Sequence, residues 1–108
     1  MANEEHLRRL LQGGEAWDSW RSKEWDLSPD LTGANLAYIN LSRANLMGID
    51  LEGANLYKAN LSHSILEEAN LCNANLEEAD LSFASLVDSN LDEANLTRAN
   101  LLEPTFAE

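Results

Sequence analysis

A leucine stands at every fifth position from Leu31 to Leu101 without a gap, and Phe106 falls on the next beat. Two residues before each leucine comes a small or apolar residue, usually alanine, and one residue before it comes mostly Asn or Asp. On an α-helix a step of five rotates the side chain through about 500°, so successive leucines scatter around the axis and no face collects them. On a straight strand side chains alternate with period two, and an odd spacing sends consecutive leucines to opposite faces. Heptads need a period near about 3.5, and the continuous apolar run that would cross a membrane is absent because polar residues flank each leucine. What survives is a chain that turns once per pentad.

Within a pentad the leucine and the residue two before it share a face by strand alternation, so both point inward and the other three point out. An interior already filled by leucines leaves room for little more than a methyl group, which accounts for alanine. Asn and Asp before the leucine are expected at the corners, because they tolerate unusual backbone geometry and bond locally to the main chain.

Stretches such as Ala34-Asn35-Leu36, Ala54-Asn55-Leu56 and Ala94-Asn95-Leu96 resemble the A(N/D)LXX motif of the pentapeptide-repeat proteins, a resemblance that runs through sixteen pentads from 29 to 108. It implies an all-β solenoid, a right-handed quadrilateral β-helix with twenty residues per coil and about four coils. At a spacing of about 4.8 Å per coil the rod would be on the order of 20 Å long. It further implies a non-enzymatic protein of bacterial, often cyanobacterial, type.

A stacked β-helix exposes backbone groups and apolar side chains at its ends and therefore needs caps. Residues 1–28 are expected to be an α-helical and aromatic N-terminal cap forming one structural unit with the repeats of 29–108. Leu7, Leu10 and Leu11 fall at helical spacing, Gly13-Gly14 is expected to end or kink that helix, and Glu15 to Ser22 to form a second turn or helix. Trp17, Trp20 and Trp25 are expected to plug the mouth of the first coil, with Pro29, Ile39 and Ile49 as enlarged inward residues there. At the other end no helix or aromatic cluster follows, and Leu102, Pro104 and Phe106 are candidates for an end-to-end contact between two copies, a weak homodimer.

Charge is uneven. Residues 1–28 hold six acids and four Lys/Arg, whereas 29–108 hold thirteen acids against only Arg43, Lys58 and Arg98. Direct nucleic-acid binding relies on a basic surface and is disfavoured; an unidentified protein partner is expected instead. An N-terminus without an apolar signal segment, the lack of a membrane-spanning run and a single cysteine, Cys72, lead to a cytoplasmic expectation.

Positions twenty apart should stack. Tyr38, Lys58, Glu78 and Arg98 then make a column of alternating charge suited to ion pairs between coils, and Arg43, His63, Phe83 and Glu103 form another. Departures from the motif gather on one side: Ser64, Ile65, Ser85, Pro104 and Thr105 belong to the pentads of Leu66, Leu86 and Phe106. Ile65 takes an outward position usually held by Asn or Asp, and Met47 and Val87 add apolar surface near it, with Glu67 between them. Met47, Ile65, Val87, Glu67, Glu68, Glu77 and Glu78 are the candidate partner surface.

No catalytic constellation is found. His6 and His63 have no ligand spacing, Cys72 has no paired cysteine, and no CxxC or HExxH motif occurs, so neither metal nor cofactor is expected. The pairs Glu67-Glu68 and Glu77-Glu78 are read as solvated residues on flat sides, without a concave pocket to perturb them. Gly33, Gly48 and Gly53 occupy outward repeat positions and make no phosphate loop. The expected function is protein–protein interaction or scaffolding. The alternative is an acidic DNA mimic acting on DNA gyrase or another DNA-binding protein, a property of some relatives, for which the acidic second half speaks.

Overall fold

The regular pentad pairs every one of its backbone N–H donors, which is why the pattern can repeat. In the computed structural model, which describes residues 1–107, the pentad Leu51–Asn55 shows the scheme. Leu51 N–H donates to Asn70 O at 2.8 Å and Gly53 N–H to Cys72 O at 2.9 Å, both in the next coil. Asn55 N–H donates to Ala34 O of the preceding coil at 2.9 Å, and Ala54 N–H closes a turn onto Leu51 O at 3.0 Å. The remaining donor, Glu52 N–H, is taken by the side chain of Asp50 at 3.2 Å. No donor of the pentad is left over.

The second turn residue has positive φ in pentad after pentad, from 67° at Gly33 to 58° at Phe83 and 62° at Glu93. With a hydrogen bond from the fourth residue back to the first, this is the type II arrangement. The corners are therefore the two residues after each leucine. Contrary to expectation, Asn and Asp sit on the sides, as the single bridging residue of each pentad, with the side-chain oxygen capping the turn that follows. Glu67-Glu68 and Glu77-Glu78 are likewise corner residues, not residues of flat sides.

Parallel bridges join residues twenty apart, as in Asp30 to Asp50, Asn35 to Asn55, Asn40 to Asn60 and Asn45 to Ile65, and continue to Ser85 and Thr105. Four such columns make four sides. Each side is so short that no continuous strand forms among the described residues, only these isolated bridges. Four corners separate the sides, and they are numbered by their first-coil residues: corner I at Thr32-Gly33, corner II at Ala37-Tyr38, corner III at Ser42-Arg43 and corner IV at Met47-Gly48.

The leucines fill the axis. Leu31 through Leu86 are at most 1% exposed, and the inward alanines of the same coils are buried with them. Burying each leucine contributes roughly 1.5–3 kcal/mol. Ile49 and Pro29 are buried and Ile39 is half-buried near the upper mouth. The core thins in the last coil, where Leu91 and Leu96 are half-buried, Leu101 is 41% exposed and Phe106 is 55% exposed. Glu108 lies outside the described residues.

At the upper end, helices α1 (Glu4–Leu10) and α2 (Gly14–Arg21) replace the missing coil. Asn3 caps α1, its side chain accepting from the N–H of Glu5 and His6. Asn3 N–H reaches Asp30 O at 2.9 Å, while His6 Nδ1 accepts from Asp30 N–H at 3.0 Å. From α2, Trp17 Nε1 donates to Asn45 O and Asp18 accepts from Asn45 N–H, each at 2.8 Å. Edge groups that a further coil would have paired are thus satisfied by three side chains and the backbone N–H of Asn3. Gly14 passes close to the coil below, where a Cβ would meet that of Ala44 at 3.4 Å.

Two details of the expected cap are corrected. Leu11 follows the last residue of α1 and is exposed, whereas Leu10 is buried. Of the tryptophans, only Trp17 is a fully buried plug. Trp20 packs half-buried between His6 and Trp17, and Trp25, beyond the end of α2, is 77% exposed. Among the described residues no helix is long and apolar enough to cross a membrane.

Candidate interaction face

The sequence candidates separate into two groups on the rod. Met47, Glu67 and Val87 stack at corner IV with Glu68, and Ile65 stands on the adjoining side between corners III and IV. Glu77 and Glu78 stand at corner II, diagonally across the rod, and do not join them. The set therefore contains one face and one separate acidic corner.

The face includes residues that spacing alone did not bring to the candidate surface. Corner III stacks Arg43, His63 and Phe83, and the rings of His63 and Phe83 lie nearly parallel, 5.0 Å apart. Phe83 is 44% exposed and Ile65 is 38% exposed, in adjacent coils on the same side of the rod, with Met47 above and Leu102 below. Ser85, directly beneath Ile65, donates its hydroxyl to Glu67 Oε2 at 2.8 Å. The signal lay in two columns already legible in the sequence, that of Arg43, His63 and Phe83 and that of Ile65 and Ser85, whose adjacency follows from Phe83 standing two residues before Ser85.

Ile65 and Ser85 alter the backbone as well as the surface. Wherever Asn or Asp holds the bridging position, its oxygen accepts the N–H two residues on, as Asn45 does for Met47 at 3.1 Å and Asn70 for Cys72 at 3.0 Å. Ile65 carries no acceptor and the Ser85 hydroxyl is turned toward Glu67. The N–H groups of Glu67 and Val87 consequently have no hydrogen-bond partner among the described residues. They lie in successive coils at corner IV, about 4.8 Å apart by the coil spacing.

Corner II is organised differently from the expected ion-pair column. Lys58 Nζ lies 6.0 Å from the Tyr38 ring centre and 5.6 Å from that of Tyr57, a cation over two aromatic rings. Tyr57 donates its hydroxyl to Glu78 at 3.4 Å. Among the described residues the only ion pair is Arg9 with Glu5, on α1. Exposed carboxylates in water gain little from such pairing.

The perturbed titrations lie in the cap and in the first coil beneath it. The Asp30 carboxylate is held below its usual range, first by the Thr32 N–H it accepts at 3.1 Å and then by the Thr32 hydroxyl at 2.8 Å. Burial lowers the pKa of Arg21, and the charge of Asp26 opposes that shift. Arg21 Nη1 donates to Glu24 O at 2.6 Å and Leu27 O at 2.8 Å, tying down the segment that leads into the first coil. Among the described residues no group of three or more His, Cys, Asp or Glu could hold a metal ion.

The expected end contact has a structural counterpart in exposure alone. Leu102 and Phe106 are more than half exposed and Pro104 is half-buried, so they do not close the lower mouth over Leu91, Leu96 and Leu101.

The pentapeptide-repeat profile, with eight copies, matches residues 30–67 and 64–101. Among solved structures, the chain is similar to a pentapeptide repeat protein of the Arabidopsis thaliana thylakoid lumen, at 32% identity and a TM-score of 0.65, covering 72% of this chain and 58% of that one. It is also similar to HetL of Nostoc sp. strain PCC 7120, a pentapeptide repeat protein involved in heterocyst differentiation regulation, at 31% identity and a TM-score of 0.37, covering 68% and 41%. A further pentapeptide repeat protein of Nostoc PCC 7120 aligns at 27% identity and a TM-score of 0.47, covering 89% and 87%. No curated protein matches. The chain thus spans 58% of the Arabidopsis protein's length. With the family's profile covering most of the chain and the twenty-residue ladder present in the backbone, the chain belongs to the pentapeptide-repeat family.

Proposed function

We propose that this chain is a non-enzymatic interaction module: a right-handed rod of four coils whose axis is structural and whose outward residues select a protein partner. The observation that carries the reading is the placement of Ile65 and Phe83, two exposed apolar residues in adjacent coils where most pentads carry polar ones. Direct nucleic-acid binding runs against the thirteen acids and three cations of the repeat segment. Cytoplasmic placement is part of the proposal and is checked by cell fractionation, since one solved relative comes from the thylakoid lumen. Affinity capture from cells that carry the protein, with Ile65→Asp beside the parent, tests the face. Partners lost with Ile65→Asp support it, and identical partners with both baits remove this face from the reading.

The second reading, an acidic DNA mimic, is favoured by the carboxylates mounted on outward corners, Glu67-Glu68, Glu77-Glu78 and Asp92-Glu93. A gyrase supercoiling assay decides it. Absence of inhibition or protection at tens of micromolar protein rejects mimicry of a gyrase substrate.

A further inference from the structure

We infer that the face running from the His63/Phe83 corner across Ile65 to the Met47/Val87 corner docks a cationic amphipathic α-helix of a partner protein, an inference that rests on the interaction-module reading. Its first support is local cost. Ile65 forfeits the side-chain acceptor that caps the turn in the regular pentad, leaving Glu67 N–H unpaired. Phe83 takes the positive φ, 58°, that the second turn residue has throughout the rod, but fills that outward position with a ring left 44% exposed where most pentads carry a polar residue or glycine. Both side chains remain substantially exposed, so the core does not recover what the backbone loses. Residues that break local rules without compensation inside the fold mark contacts made outside it.

Charge fixes the sign of the partner. Glu67, Glu68 and Asp88 line corner IV and Glu103 closes corner III below Phe83, while Arg43 is the cation at the upper end. An apolar strip bordered by carboxylates suits a helix with an apolar stripe between lysines or arginines. The backbone fixes its type. Hydrogen bonds of each side run along the rod axis to the coils above and below, so the side has no free ladder edge. An extended peptide laid there would leave its own backbone unpaired, whereas a helix brings its hydrogen bonds with it.

Dimensions agree. From Met47 to Leu102 the face spans three coil steps, about 15 Å, which is the length of a helix of about ten residues. A helical turn of about 5.4 Å nearly matches the coil step of about 4.8 Å, so a helix along the axis offers one apolar residue per coil. The free N–H groups of Glu67 and Val87 are additional anchor points for a glutamine or asparagine side-chain carbonyl of the partner.

The test uses the full chain, isotopically labelled, and a synthetic helix of about fourteen residues with leucines at i, i+3, i+7 and lysines flanking them. Controls are a scrambled peptide of the same composition and one with glutamates for lysines. The expected result is perturbation of the Ile65, Phe83 and Val87 amides by the parent peptide alone, with affinity falling at least about tenfold in Ile65→Asn combined with Phe83→Asn. Ile65→Asn restores the regular bridging residue and Phe83→Asn installs the residue that Asn73 carries at the same turn position, so the double variant is expected to melt at or above the parent temperature, separating loss of binding from loss of fold. A double variant that melts lower overturns the argument from local cost. Equal binding of the scrambled peptide, unchanged affinity in the double variant, or perturbations at Glu77 and Glu78 instead overturn the proposal. So does concentration-dependent shifting of this face without peptide, which would make a second copy the occupant. If the peptide arm fails while capture of partners remains sensitive to Ile65→Asp, the interaction-module reading stands and the basic helix does not.

Discussion

At the bridging position a single side chain does two tasks. The Asn75 side chain accepts Glu77 N–H at 3.0 Å and donates through its own amide toward Asn55 of the preceding coil at 3.4 Å. Asn75→Ala leaves one backbone donor without its partner and is expected to cost about 1 kcal/mol in chemical denaturation. Asp30 performs the same capping for Thr32 with a charged oxygen. Because its pKa is depressed in the fold, the stability it contributes is present above the ordinary carboxylate range, about 3.9, and is lost as pH falls through the lower folded value. Asp30→Asn keeps the acceptor and removes that titration, so its stability should fall less steeply between neutral and strongly acidic pH. Proton uptake on unfolding, compared between the two proteins, checks this. The inward leucines and alanines were legible in the sequence because a period of five admits few geometries. The role of Asn and Asp was not, since a residue suited to a corner is equally suited to cap a corner from the side.

Among the elements, α1 and α2 show how far side chains can stand in for a coil. Their backbone bonds are internal, so the upper edge must be met by Asn3, His6, Trp17, Asp18 and Arg21 acting one group at a time. Arg21 chiefly holds the cap together, its buried guanidinium donating to Glu24 O and Leu27 O of the connecting segment, and it reaches the rod at Met47 O, 3.4 Å away. Arg21→Met retains much of the volume and removes the charged donors, and a loss of about 3 kcal/mol is expected. If the segment between α2 and the first coil is released, Trp17 fluorescence should change before the repeat circular dichroism does. Simultaneous loss of both signals would show the cap and rod unfolding as one unit. The helices were visible as leucine spacing ended by glycines. The fates of Leu11 and Trp25 were not, because hydrophobicity marks a residue as able to be buried without saying whether the rod presents a surface there.

For the whole molecule the two ends of the rod are chemically unlike. Each coil offers the next two N–H groups per pentad, from the leucine and the second turn residue, but only one carbonyl, that of the small residue. On the lower edge the N–H groups of Leu91, Glu93, Leu96, Arg98, Leu101 and Glu103 have no acceptor among the described residues. Two copies joined head to head would set donor-rich edges against each other, so their backbone groups can pair only in part. Association through this end must then depend on Leu101, Leu102 and Phe106, whose exposed apolar surface is small, and on overcoming the acidic charge of both rods. A weak, reversible dimer is the expected outcome, strengthened by salt as the carboxylates are screened. In sedimentation velocity the weight-average coefficient should rise with protein concentration and rise further at higher ionic strength, and Phe106→Asp should hold it at the monomer value. A coefficient independent of concentration and salt would remove the end contact, whereas association that survives Phe106→Asp would move it to another face, with Ile65 and Phe83 the next to test.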